Sequence, residues 1–164
     1  MDAPRHHRGA VLLAIAIVVA LDQLSKHWAL HALADEPIHL VGSLRLRLTF
    51  NDSAAFSLGG GRTTLIAAIA CVVVTGLLVA AFRATDLGTA VGLAIIAGGA
   101  LGNLTDRAFR AGDGVLGGRV VDFIDPQWWP VFNVADASLW VGIAVLVISS
   151  FRKPAAVGSE EPVT

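Results

Sequence analysis

Residues 63–82 and 87–105 of this 164-residue chain carry no charged side chain, and nothing else in the sequence restricts the fold as severely. An apolar stretch of about 20 residues matches the ~30 Å hydrocarbon core of a bilayer, where each backbone amide must be satisfied inside its own segment. Two more stretches have the same character. Residues 9–28 are apolar apart from polar positions near their end, including Asp22 and Lys26, and residues 134–151 are interrupted by a single charge, Asp136. The expectation is an integral membrane protein, mainly α, with one domain over residues 1–151 and four transmembrane helices at about 9–28, 63–82, 87–105 and 134–151. The 55% hydrophobic share agrees with that class, and a formal net charge of −1 gives no reason to expect nucleic acid as a partner. Cys71 is the only cysteine and lies mid-way through an apolar stretch, which excludes a disulfide framework and a thiolate metal cluster. Arg5 and Arg8 ahead of the first apolar run imitate a signal peptide. Asp22 and Lys26, however, stand between that run and the small residues Ala32-Leu33-Ala34, so the segment reads as a retained span.

The connections are unequal. Residues 83–88 make a short turn, whereas long segments join the first span to the second and the third to the fourth. In the first long segment, His39-Leu40-Val41 leads into Leu44-Arg45-Leu46-Arg47-Leu48, a period-two alternation that predicts strands with one apolar face, forming a small sheet at the membrane surface. The second long segment holds Gly112, Gly114, Gly117 and Gly118 and ends in Trp128-Trp129-Pro130, an interfacial anchor by composition. Residues 152–164 are polar and contain proline, and they read as a disordered tail. Basic residues flank both sides of the four spans, so charge counting alone leaves the orientation open.

Asp122 lies in the apolar run Val120-Val121-Asp122-Phe123-Ile124, and Asp136 lies where the last apolar stretch begins. A carboxylate near hydrocarbon costs ~2.5–3.5 kcal/mol at a helix centre, which makes such acids functional candidates. If four spans alternate, Asp22, Asn103, Arg107, Asn133 and Asp136 all reach the outer third of one leaflet, beside both long segments. Each also has a plain structural reading. Asp22 and Lys26 have the i,i+4 spacing of a helix-surface ion pair, and Asn133 and Asp136 have N-cap and N3 spacing. Arg107 can snorkel to the interface, and Asp122 can be an ordinary loop acid. Gly98 and Gly102 favour close helix packing. There is no His-Glu-x-x-His pair for a metal and no glycine-rich phosphate loop. Ser25 and Lys26, adjacent on a helix, do not face each other as a serine–lysine pair requires. The remaining chemistry is that of two carboxylates sharing a proton and activating water. A small transporter or channel using buried acids as a proton or cation relay is the alternative, and it predicts acids spread through the membrane depth.

At these positions the chain resembles lipoprotein signal peptidase, the bacterial membrane aspartic protease also called signal peptidase II. The resemblance covers residues 9–151. It is carried by Asp22-Gln23-Leu24-Ser25-Lys26, the stretch 51–57, Gly98-Gly99-Ala100-Leu101-Gly102-Asn103-Leu104-Thr105-Asp106-Arg107, Val120-Val121-Asp122-Phe123 and Phe132-Asn133-Val134-Ala135-Asp136. It implies a catalytic pair at Asp122 and Asp136, with Asp22, Lys26, Asn51, Asn103, Arg107 and Asn133 lining the site, and no metal or organic cofactor. The implied substrates are diacylglyceryl-modified prolipoproteins, cut on the amino side of the lipidated cysteine. Membrane lipids are then the other partners, and no obligate protein partner is inferred. The implied location is the bacterial cytoplasmic membrane, multi-pass, with cytoplasmic termini and a site near the outer face. Two departures stand out. Ser53 occupies a position where the family usually has glycine, and the stretch between Arg107 and Asp122 is longer and richer in glycine than usual.

Overall fold

The computed structural model describes residues 7–51, 61–112 and 116–151, with side chains of the second helix described from residue 68 onward. Four helices, α1 (Arg8–Ala32), α2 (Gly61–Arg83), α3 (Leu87–Phe109) and α4 (Val134–Phe151), are joined by three strands, β1 (Ile38–Val41), β2 (Leu44–Asn51) and β3 (Val120–Asp125). Among the described residues, α1, α3 and α4 are long and apolar enough to cross a membrane, and the described apolar part of α2 is the shorter Ala68–Arg83. Burial is inverted relative to a protein in water. Leu12, Leu13, Leu21 and Leu24 of α1 and Trp140, Val147 and Ile148 of α4 are exposed, whereas Asp22, Lys26, Asp106 and Asn133 are buried. Hydrocarbon imposes no penalty on an outward leucine, so packing and hydrogen bonding take over the work of association.

Helix α3 is the centre of the bundle and packs on α1, α2 and α4. Its buried face is made of Ala90, Gly92, Ala94, Ala97, Gly98, Gly99 and Gly102, and small residues of this kind let helix backbones approach closely. The approach is tightest where α4 crosses. A Cβ at Gly142 would sit 2.8 Å from the Gly92 carbonyl oxygen and nearer still to Ile96. At one end of the bundle Asp86 caps α3 by accepting from the Thr89 amide at 2.9 Å, and Ser149 Oγ donates to the same oxygen at 2.9 Å, tying down the last turn of α4.

The sheet lies at the other end, where α1 and α3 finish and α4 begins. Its order is β1-β2-β3, antiparallel throughout, with Thr49 opposite Asp122 and Asn51 opposite Val120. The alternation of residues 38–48 is that of β1 and β2. The third strand comes from the second long segment, read from sequence only as a connection. Nearly every residue of β3 is buried, on both faces, so it lacks the alternation that announces a half-buried strand. Phe123 stacks edge-to-face on Trp28 with centroids 6.4 Å apart and joins Ala29 and Leu33 in a small core, which seats the sheet on the end of α1. This seat accounts for the continuation of α1 past the predicted span end at 28, to Ala32, and α3 likewise continues past 105, to Phe109. Gly118 donates its amide to the Arg107 carbonyl at 3.0 Å, folding the glycine-rich stretch back on α3. Trp128 and Trp129 are exposed and meet edge-to-face. Ser53 and the motif from residue 52 on, residues 113–115 and the tail 152–164 lie outside the described residues.

Candidate active site

Asp122 and Asp136 reach one another's neighbourhood from different elements. Asp122 projects from β3, buried, and accepts from Asn133 Nδ2 at 2.7 Å through Oδ1 and from Asn51 Nδ2 at 3.1 Å through Oδ2. Asp136 sits in the first turn of α4. Its amide donates to Asn133 Oδ1 at 3.0 Å, and its Oδ2 accepts from the Asn133 amide at 3.1 Å, a reciprocal capping box at the start of the helix. The capping reading of Asn133 and Asp136 thus has its geometry, and the residue that caps α4 also contacts Asp122. Asn103 completes the link, donating to Asp136 Oδ1 at 2.9 Å while its Oδ1 accepts from Asn133 Nδ2 at 3.0 Å and Lys26 Nζ at 2.9 Å.

Beneath this pair lies a fully buried ionic group. Lys26 Nζ is 2.8 Å from Asp22 Oδ2 and 2.9 Å from Asp106 Oδ2, and all three side chains are inaccessible. The i,i+4 pair, whose plain structural reading is a helix-surface pair, is an interior one. Its burial is tolerable because each charge has opposite charges and hydrogen bonds around it. Arg110 Nε adds a contact to Asp106 Oδ1 at 2.7 Å, and Gln23 Nε2 reaches both Asp22 and Asp106. Gly102 makes room: a Cβ there would lie 2.5 Å from Asp22 Oδ2. Asp22 Oδ1 accepts from the Ala135 amide at 3.0 Å, and Asp106 Oδ2 from the Val121 amide at 3.2 Å.

Asp22, Lys26, Asn51, Asn103, Asp122, Asn133 and Asp136 thus join one network, while Arg107 is half-buried at its edge in the last turn of α3. Ser25 Oγ donates to the Asp22 carbonyl at 2.9 Å, and Lys26 is directed to the carboxylates, so these two do not form a nucleophile–base pair. Sequence reasoning missed Asp106 and Thr49. The spacing of Asp106 from Asn103, three residues on the same helix, was a usable signal. Thr49 had none; its hydroxyl is buried opposite Asp122 with no hydrogen-bond partner among the described residues. Among the described residues no three His, Cys, Asp or Glu side chains converge as metal ligands.

The two acids of β3 have opposite environments. Burial, followed by the charge of Asp136, pushes the Asp122 carboxyl up to about 6, against the Asn51 and Asn133 hydrogen bonds and the more distant charge of Lys26. For Asp125, burial also acts upward but is outweighed by Arg45 at 2.8 Å, the Gln127 amide at 2.9 Å and Arg47 at 3.0 Å, which hold its carboxyl below the usual range. Asp125 ties β2 to β3, and of the two Asp122 is the acid that holds its proton to higher pH. An apolar groove of 360 Å³ between α1 and α4, lined by residues including Ile17, Leu21, Val134 and Ala137, runs up to the turn that carries Asp136.

Known proteins resemble this chain over most of its length. A family model described as signal peptidase (SPase) II matches residues 14–152. The lipoprotein signal peptidase of Rhodococcus jostii (strain RHA1) is 43% identical over 146 residues, 87% of this chain and 73% of that protein. That of Mycobacterium avium (strain 104) is 42% identical over 151 residues, 91% of this chain and 82% of that protein. That of Mycobacterium tuberculosis (strain ATCC 25618 / H37Rv) is 44% identical over 150 residues, 90% and 73%. A solved structure described as a bacterial membrane enzyme superposes with a TM-score of 0.74 at 25% identity, covering 93% of this chain and 99% of that one.

Proposed function

Because this chain belongs to the signal peptidase II family, we propose that it removes signal peptides from prolipoproteins as an aspartic endopeptidase, with Asp122 and Asp136 as the catalytic pair. The observation that carries this reading is Asn133, which donates to both carboxylates, one from its side chain and one from its backbone. In this reading the two acids share a proton, which lets one act as base while the other acts as acid, and the charge of Asp136 is felt at Asp122. Asp136, as the base, takes a proton from water as the water oxygen attacks the scissile carbonyl carbon. Asp122, whose hold on a proton is strengthened by burial and by the charge of Asp136, gives its proton to the carbonyl oxygen. The tetrahedral diol then collapses: the peptide nitrogen leaves with the proton now on Asp136, and the second hydroxyl returns its proton to Asp122. Neither step calls for a metal or an organic cofactor.

The substrate in this reading is a prolipoprotein whose cysteine already carries diacylglycerol, cut on the amino side of that cysteine. Its acyl chains stay in the bilayer or in the apolar groove that ends at Val134 and Ala137, which puts the bond at the depth of Asp136. We place all four helices across the bacterial cytoplasmic membrane, with both termini and residues 83–88 in the cytoplasm. The sheet and the catalytic pair then face outward, and prolipoproteins and membrane lipids are the partners, with no obligate protein partner.

The test is cleavage of a diacylglyceryl-modified prolipoprotein by the purified protein in detergent or lipid, read as a mobility shift. Asp122→Asn and Asp136→Asn should each insert and fold yet lose cleavage, because members of such a pair act as a unit. Substantial turnover by either variant removes that carboxylate from the mechanism.

A further inference from the structure

The mechanism uses two acids and leaves a fully buried ionic group, Asp22, Lys26 and Asp106, without a task. Such a group is a poor device for stability alone, since well-packed apolar residues of similar volume often do as well or better. Its contacts follow a pattern, however. Asp22 accepts the amide of Ala135, the residue immediately before Asp136. Asp106 accepts the amide of Val121, the residue immediately before Asp122. Lys26 joins the two carboxylates, and its remaining donor goes to Asn103 Oδ1, whose amide side holds Asp136.

We propose that Lys26, Asp22 and Asp106 are positioning residues that set the separation of Asp122 and Asp136 by clamping the backbone amide ahead of each. The proposal rests on the reading of Asp122 and Asp136 as the catalytic pair. The strand β3 and the start of α4 are already tied by the Ile124–Phe132 bridge and by Asn133, and the ionic group adds a second link that reaches both backbones from α1 and α3. The side chains of the pair can rotate, but their Cα positions are fixed by the neighbouring amides. One ammonium ion held by α1 links those amides through two carboxylates from α1 and α3, so a displacement of either support is resisted by the other. A shared proton demands this accuracy, because misplacement by about 1 Å can cost on the order of 10²-fold in rate. Gly102 supplies the space that Asp22 occupies, and Arg110 with Gln23 completes the charge and hydrogen-bond balance of the group.

The test compares Lys26→Met with the charge-balanced Asp22→Asn/Lys26→Met, which leaves the Asp106–Arg110 pair intact should the single variant fold poorly. Turnover of lipidated prolipoprotein is measured per folded enzyme, with kcat and KM resolved and the pH profile recorded. Asp122 is faced by Asn51 of β2, by Asn133 and Asp136 at the start of α4, and by the charge of Lys26 from α1. Removing that positive charge leaves Asp136 less opposed. The expected result is kcat lower by on the order of 10²-fold with KM within about two-fold, and a descending limb of kcat/KM moved to higher pH. Unchanged kcat and pH profile per folded molecule would reduce the group to packing. A raised KM at unchanged kcat would make Lys26 a substrate contact, and either outcome overturns the proposal. Failure of the catalytic assignment itself is seen separately, as activity in Asp122→Asn or Asp136→Asn.

Discussion

Asn133 Nδ2 donates to Asp122 Oδ1 at 2.7 Å, across the gap between the N-cap of one helix and a strand of the sheet. The same amide also approaches Asn103 Oδ1 at 3.0 Å and the Val121 carbonyl at 3.3 Å, so its orientation is over-determined. A cap residue has in this way become the hinge of a site: its carbonyl oxygen serves the helix and its nitrogen serves the acid.

These two roles separate by substitution. Asn133→Ser keeps an N-cap acceptor for α4 but is too short to reach Asp122. It keeps the cap's contribution to stability but loses the buried bonds to Asp122, Asn103 and the Val121 carbonyl, and kcat per folded molecule should fall on the order of 10²-fold, as for loss of one preorganised donor. Asn133→Ala should lose the activity and also about 1 kcal/mol of stability. Parent-like turnover in the serine variant would show that the bond to Asp122 is incidental.

The pH dependence has a defined sign. In the proposed mechanism the acid step needs protonated Asp122, whose carboxyl is raised to about 6, so kcat/KM should fall as pH rises through that value. Bound substrate displaces water and pushes the carboxyl further up, so the limb in kcat should lie at higher pH than the limb in kcat/KM. Stability follows the same proton. A carboxyl raised on folding favours the fold below its ordinary 3.8 and loses that contribution as pH rises through about 6. Asp122→Asn cannot ionise and should be more stable than the parent at pH 7, with the difference gone near pH 4. Denaturation at both pH values checks this, and a difference of opposite sign contradicts the burial argument.

Orientation is checked by reporter fusions. Fusions within residues 83–88 and after residue 151 should report the cytoplasm, and fusions within residues 35–60 and 108–130 the outside. A tail reporting from outside would remove both the four-span topology and the outward-facing site.

Lipid on the substrate should matter kinetically. Acyl chains anchor a peptide by ~0.8 kcal/mol per buried methylene, which makes kcat/KM for the lipidated precursor higher by more than about 10²-fold. Matched lipidated and unlipidated substrates in one membrane mimetic give the ratio. A ratio near one would leave a generic intramembrane protease in place of a lipid-positioned one.

The apolar lengths of residues 9–28, 87–105 and 134–151 were sufficient to determine α1, α3 and α4, because hydrocarbon allows an isolated segment few structures besides a helix. The alternation of residues 38–48 was sufficient for β1 and β2, and the spacing of Asn133 and Asp136 for the capping box, since both patterns depend on neighbours within a few residues. Motif order likewise pointed to Asp122 and Asp136 before any contact was known. The tertiary structure decided what depends on distant residues. Strand β3 is buried on both faces and declares itself only by pairing with β2. Lys26 and Asp22 have the spacing of a surface pair on α1, and only the packing of α3 and α4 puts them inside. Asp106 gained its meaning when Val121 folded back onto it, and Asp22 when the Ala135 amide arrived from 113 residues away. Local periodicity encodes which face a residue occupies on its own element. It carries no record of which amide from elsewhere will meet that face, and the accuracy of this site resides in those meetings.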